Sequence, residues 1–300
     1  MSSLSGVSSN SSNPLNTSNS TPNTPSRPTQ GNLAGLSVST ATTPNDRPSS
    51  LANRATANTS AARSAAAVPD TAYDGRYVGA NGQTSNNISD IQPVKPNNGK
   101  PETGKQILYV NGISTDLAAQ RTSIQDLANQ TGANIIGIHN ATEGFAKDIG
   151  QSALDKANLG TNPAVDTLSN AIYNGVKQGQ QVNIAAHSQG GIITSRAIGD
   201  ALKRLQEDGL SSSQARAQLG KYVNVETFGG AAETYPKGPN YQHYVNTVDP
   251  VPDLLGKGNT FDPNTIRFTD NRAGFNPLKA FDNHSFDNVY LSHVNSSFFK

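Results

Sequence analysis

The ten residues Val182-Asn183-Ile184-Ala185-Ala186-His187-Ser188-Gln189-Gly190-Gly191 decide how this chain is read. Val182 to Ala186 is a short apolar run that predicts a strand buried on both faces. From about Gln189 to Asp208, Ile192, Ile193, Ala197, Ala201, Leu202 and Leu205 recur at helical spacing. The chain must therefore pass from strand to helix at His187-Ser188. A serine on such a bend projects its hydroxyl above the sheet, and the small residues two before it (Ala186) and two after it (Gly190) let strand and helix approach closely. The same hydroxyl can cap the helix, whose N-terminus stabilises negative charge placed there.

Outward from this stretch the pattern repeats. Ile107 to Val110 is a short strand ended by Asn111-Gly112. Leu117 to Gln130 reads as a helix with Gly132 beyond its end, and Asn134 to Ile138 as a second buried strand. Residues 163–178 predict a helix opened by Pro163 and closed by Gly179, with Val223–Phe228 and Tyr241–Thr247 as later strands. Strands alternating with helices predict an α/β fold with a mainly parallel sheet and helices on both faces. Such sheets bind ligands beyond the carboxyl ends of their strands, where Ser188 falls.

Composition divides the chain. Ser, Asn, Thr and Pro fill 52 of the first 100 positions, Leu, Ile and Val only 12, and the sole aromatics there are Tyr73 and Tyr77. So little apolar surface cannot offset the entropy of ordering a chain. Residues 1–103 are therefore expected to be a disordered leader and residues 104–300 one folded domain, with Pro93, Pro96 and Pro101 around Asn97-Asn98-Gly99 at the boundary.

The 300 residues include no Cys, which excludes disulfides, thiolate zinc sites, iron–sulfur clusters and a cysteine nucleophile. A formal net charge of +1 argues against nucleic acid as a partner. No apolar run approaches the roughly 20 residues of a membrane span. The leader lacks the basic and apolar regions of a Sec signal peptide. Its Ser-rich, acid-poor start resembles the secretion signals of bacterial type III effectors, with an ordinary low-complexity tail as the alternative. The first reading implies a secreted protein delivered into a host cell, with residues 58–68 as a docking segment for a secretion chaperone. The second leaves the protein in the bacterial cytoplasm.

Ala186-His187-Ser188-Gln189-Gly190-Gly191, in its strand–turn–helix setting, resembles the nucleophile elbow of the α/β-hydrolase superfamily, and within it the lipase-like members with His before the nucleophile. The resemblance spans about residues 105–298. It implies the α/β-hydrolase fold and a triad in the chain order Ser, acid, His. Asn246-Thr247-Val248-Asp249-Pro250-Val251-Pro252 resembles the acid-bearing loop of class 3 lipases, which implies Asp249 as the acid; Asp253, Asp270 and Asp282 are alternatives. Of the five histidines, His139 and His187 do not follow Ser188 in the required order, and His243 lies inside a strand. His284, before Ser285-Phe286 and Tyr290-Leu291, resembles the base-bearing segment, with His293 as the alternative. The oxyanion hole is expected from the backbone N–H of Gln189 and that of Ile113 or Gly112.

The implied activity is that of a serine carboxylic ester hydrolase working through an acyl-enzyme, with no metal or organic cofactor. The implied substrate is a lipid or other acyl ester, with peripheral contact with membranes. An amidase, thioesterase or acyltransferase using the same triad, and a binding protein that keeps the fold without turnover, are the alternatives. Phe145 to Ala157 reads as a lid or as a helix packed on the sheet. Loops 229–240 and 257–283 are expected to rim the pocket, with Phe261, Phe268, Phe275 and Phe281 as acyl-chain contacts or core.

Overall fold

A computed structural model describes residues 70–141 and 162–300. Its strands are β1 (Tyr77–Val78), β2 (Thr84–Ser85), β3 (Gln106–Val110), β4 (Asn134–Ile138), β5 (Val182–His187), β6 (Val223–Phe228), β7 (Asn240–Asn246) and β8 (Thr265–Phe268). They form one sheet in the order β2-β1-β4-β3-β5-β6-β7-β8. The run from β4 to β8 is parallel throughout, whereas β1 pairs antiparallel with β4 and with β2. The central strands are buried along nearly their whole length, as parallel strands covered on both sides must be.

Strand alternation sorts the core into two layers. Leu108, Val110, Ile136 and Ile184 point to one face, covered by α2 (Pro163–Lys177), α3 (Gly190–Glu207) and α4 (Ser212–Tyr222). Ile107, Tyr109, Ile135 and Ala185 point to the other, covered by α1 (Leu117–Thr131) and by Phe286, Val289 and Tyr290. Caps fix the helix starts: Asp116 accepts from the Ala119 N–H for α1, and Asn162 from the Val165 N–H, with Pro163 next, for α2. This is an α/β architecture, a mainly parallel sheet with helices on both faces. The predicted strands and helices between 107 and 247 form within a residue or two of their expected limits.

The expected boundary at residue 103 is corrected. Residues 70–103 belong to the folded part: Tyr77, Val78, Ile91 and Val94 are buried, and β1 extends the sheet beyond β4. Few apolar residues suffice because the segment is held mostly by polar bonds. The Val94 N–H donates to the Ile135 carbonyl at 2.8 Å, and Asp70 accepts from the Leu117 N–H at 3.0 Å. The expected loop 257–283 contains β8, a short edge strand with little buried surface. Helix α4, unforeseen, starts at a capping box in which Ser211 and Gln214 satisfy each other's backbone N–H. From His284 onward the chain makes a wide π turn over Phe286–Tyr290 and a tight one over Leu291–His293. The segment Phe145–Ala157 and the docking segment 58–68 lie outside the described residues. No helix among the described residues is long and apolar enough to cross a membrane.

Candidate active site

The site stands at the carboxyl edge of the sheet, where β5, β7 and β8 release the chain. At the end of β5, Ser188 takes a left-handed backbone conformation, φ +55°. A non-glycine residue there carries strain of order 1 kcal/mol or more, which persists only where the surroundings enforce it. They do so here: the Ser188 N–H donates to the Phe228 carbonyl at 3.1 Å, and its carbonyl accepts from Gly191 and Ala231, both at 2.9 Å. Close packing completes the bend. A Cβ on Gly190 would fall 2.4 Å from the Val110 carbonyl oxygen, so only glycine lets α3 pass over β3.

The loop after β7 carries Asp249, which is fully buried. It caps α5 (Pro250–Leu255) through Oδ1, which accepts from the Val251 N–H at 2.9 Å. Its other oxygen, Oδ2, lies 2.6 Å from Nδ1 of His284. The expected acid and base are thus brought together. A neutral His284 in this pair carries its proton on Nδ1, leaving Nε2 as a free base. That Nε2 is shielded from solvent and has no hydrogen-bond partner among the described residues. Ser188 and His284 make no hydrogen bond to each other, a contact that in unliganded sites is often long and tightens with substrate.

Gly112, expected near the oxyanion, packs on the serine: a Cβ there would lie 2.6 Å from Ser188 Cβ and 3.2 Å from its hydroxyl oxygen. The Asn111 side chain donates to the Gly112 carbonyl at 2.9 Å. Because the peptide unit is planar and trans, this turns the Ile113 N–H of the same unit away from Asn111. Asn140 then donates to Gln189 Oε1 at 2.7 Å and its own N–H to Asn111 Oδ1 at 2.9 Å. The two candidate donor segments, 111–113 and Gln189, are thereby tied into one network.

The sequence reading gave the Asn111 side chain no role and did not name Asn140, although both stand just past strand ends at the site's edge. It gave Asn246 and Asn283 no role either. Asn246 donates to the Asn283 carbonyl at 3.1 Å, and Asn283 donates to the Val248 carbonyl at 3.0 Å, so the acid loop is buttoned to the base loop. Gly229, with φ +54°, closes beneath the pair: a Cβ would lie 2.9 Å from Asp249 Oδ2 and 3.0 Å from His284 Cε1.

The alternative candidates go elsewhere. Asp253 and Asp282 are exposed, and Asp270 pairs with Arg272 at 2.8 Å. His293 stacks on Phe268 with ring centroids 3.7 Å apart, His243 bonds the Thr227 hydroxyl at 2.7 Å, and His139 lies between Gln120 and Asp70. His187 abuts the base, and burial pushes its pKa well below the usual histidine range. A cavity of about 490 Å³ lies beside the elbow, lined by Ile192, Ala231 and Leu255 with Arg196, Glu233 and Asp253 also on its wall. Ser188, Asp249 and His284 are not among the described residues that line it.

No protein-family model matches the chain, and no curated protein matches it in sequence. Among solved structures it is similar to an esterase of Pyrobaculum calidifontis, at 12% identity and a TM-score of 0.33, over 57% of this chain and 68% of that one. A structure described as arylesterase matches at 10% identity and a TM-score of 0.37, over 67% and 78% of the two chains. Lipase B of Aspergillus fumigatus matches at 14% identity and a TM-score of 0.26, over 44% of this chain and only 26% of its own length. Likeness this distant says nothing of chemistry, which must rest on the geometry of the site itself.

Proposed function

We propose that the chain is a serine hydrolase that cleaves carboxylic esters, most of all those of lipids, through Ser188, His284 and Asp249. One observation carries the reading: a strained serine at a strand–helix bend follows His187, whose ring packs on an imidazole whose Nδ1 lies 2.6 Å from a buried carboxylate and whose Nε2 is left without a partner among the described residues. In the reaction, His284 Nε2 takes the hydroxyl proton as Ser188 Oγ bonds to the ester carbonyl carbon. The carbonyl oxygen becomes an oxyanion, met by the backbone N–H of Gln189 and of Ile113 or Gly112; one such donor is worth on the order of 3 kcal/mol. The imidazolium returns its proton to the departing alkoxide, the C–O bond breaks, and an acyl-serine remains. Water, deprotonated by the same nitrogen, releases the acid and restores Ser188.

The lipid preference rests on the segments flanking the pair. Leu254, on the helix that Asp249 caps, is largely exposed, as are Phe261, Phe275 and Leu278 in the chain leading to His284, while Phe281 is half-buried. Phe268 instead packs against the core. Large apolar side chains left in water beside a hydrolytic site suit acyl chains and a membrane surface. Delivery into a host cell by way of the Ser-rich leader is the corresponding proposal for location.

The test is labelling by a fluorophosphonate. Wild-type protein should be modified and Ser188→Ala should not, and hydrolysis of 4-nitrophenyl esters of graded chain length should rise with acyl length. Absence of labelling in wild-type protein overturns the triad; labelling with hydrolysis confined to acetate overturns the lipid preference alone.

A further inference from the structure

Tyr290 comes to the site through an irregularity of the backbone. The Ser285 carbonyl accepts from the N–H groups of both Val289 and Tyr290, at 3.1 and 3.4 Å, which widens the chain into the π turn Phe286–Tyr290. Single π turns of this kind are frequent at functional positions. Tyr290 is completely buried, and its hydroxyl oxygen lies 2.6 Å from Asp249 Oδ2, the same oxygen that faces His284 Nδ1 at 2.6 Å. The Asn246 N–H donates to the phenol oxygen at 3.2 Å, so the phenol's own proton is directed at the carboxylate. Beneath them, a Cβ on Gly229 would lie 2.9 Å from the Tyr290 hydroxyl and 2.9 Å from Asp249 Oδ2.

We propose that Tyr290 is a positioning residue for the acid–base pair, its hydroxyl holding Asp249 Oδ2 on the imidazole of His284 and sharing the negative charge that water would otherwise share. This rests on the reading of Ser188, His284 and Asp249 as the reacting groups. A buried carboxylate needs donors for its lone pairs. Oδ1 has the Val251 N–H; Oδ2 has the imidazole and the phenol. With the phenol removed, Oδ2 keeps only the imidazole as a partner, and its hold on the imidazole's orientation loosens. The phenol is a neutral donor throughout the working range, because burial and the Asp249 charge both push its pKa upward. Among the described residues, His187 on β5 packs against His284 and is held neutral by burial, and the charge of Asp253 adds weakly to the upward push on the phenol.

The experiment uses full-length Tyr290→Phe, with Val289→Ala as a control for damage to the same core. For 4-nitrophenyl butyrate, Tyr290→Phe should lose kcat by roughly 10- to 100-fold, the range of a lost second partner behind a reacting group, with KM within about twofold. The rate of fluorophosphonate modification should fall in parallel, whereas Val289→Ala should melt at lower temperature and keep its kcat. In wild-type protein, proton NMR should show a slowly exchanging Tyr290 hydroxyl proton close to the Nδ1 proton of His284. Wild-type kcat in Tyr290→Phe, or kcat lost equally in Val289→Ala, overturns the proposal. So does the lack of that hydroxyl–imidazole contact, a measurement that needs no variant to fold. Wild-type protein that does not react with the fluorophosphonate overturns the triad reading and this proposal with it.

Discussion

His187 Nε2 lies 2.8 Å from the backbone carbonyl oxygen of His284, and the two rings pack at a 33° tilt with centroids 4.6 Å apart. The residue before the serine therefore grips the residue proposed to deprotonate it. A carbonyl only accepts, so the His187 proton sits on Nε2 and the ring is a neutral donor. His187→Phe keeps a ring in the stack and orphans the His284 carbonyl. It should cost about 1–2 kcal/mol in stability and slow fluorophosphonate modification by roughly tenfold, the effect of one 1.4 kcal/mol misplacement. Thermal melts and inactivation rates measure the two; a variant that reacts at the wild-type rate would show that the grip is irrelevant to the base.

The strained backbone at Ser188 predicts a trade between stability and function. Alanine at 188 removes the hydroxyl but keeps a Cβ at φ +55°. Glycine removes the hydroxyl and the strain together. Ser188→Gly should therefore be more stable than Ser188→Ala by about 1 kcal/mol, or roughly 2–4 °C in Tm for a domain of this size. Equal melting temperatures would mean the bend is not enforced by its surroundings.

Much of this site was legible because its chemistry is local. The Ser188 elbow needs a strand, a bend and small neighbours within ten residues, and all are written consecutively. Asp249 and His284 were reached through short motifs and chain order. The asparagines were not, because Asn111, Asn140, Asn246 and Asn283 act across separations of about 30–50 residues that no local pattern encodes. Tyr290 stood in the base-bearing segment but was given no role, because the π turn over Phe286–Tyr290 has no signature in the local sequence pattern. The boundary at 103 failed because composition measures apolar burial, while residues 70–103 are fastened largely by backbone and carboxylate bonds.

That fastening can be tested by truncation. A chain beginning at Asp70 keeps β1 on the edge of β4 and the Asp70 carboxylate on His139 at 3.0 Å. A chain beginning at Gly104 exposes the β4 edge and leaves the buried His139 with only Gln120. The shorter chain should melt at least 5 °C lower, since leaving a buried histidine without its carboxylate partner alone costs about 1–3 kcal/mol, and should aggregate through the bared edge. Equal melting temperatures would restore 103 as the boundary.

Buried titratable groups set the pH dependence of stability. Burial lowers His187, and lowers His243 to about 4, so below about pH 6.5 the unfolded chain binds more protons at these sites and stability falls with falling pH. Glu226, fully buried on β6, acts in the opposite sense. Desolvation raises it from 4.5 to about 8, so the folded chain binds the extra proton between those values and stability falls as pH rises. The two effects oppose each other between about 4.5 and 6.5; above that window Glu226 acts alone. Urea unfolding should show a decline of roughly 2 kcal/mol from pH 6.5 to 8, and Glu226→Gln should flatten it. A decline that persists unchanged in the glutamine variant would assign it to another group.

Gly229 offers the sharpest steric test. Its φ of +54° already strains any side chain, and the methyl of Gly229→Ala would meet Asp249 Oδ2, the Tyr290 hydroxyl and His284 Cε1 at 2.9–3.0 Å. None of the three can yield easily, because they bond one another. The acid–base pair must therefore open or the β6 end must shift, and a displacement near 1 Å at a reacting group costs about 100-fold. The expected result is loss of kcat by that order with a Tm lowered by several degrees. Serine at 229 should be as damaging, since the fault lies at Cβ. If Gly229→Ala keeps wild-type kcat, the backbone does not press on the pair, and the closeness of these four residues has no bearing on catalysis.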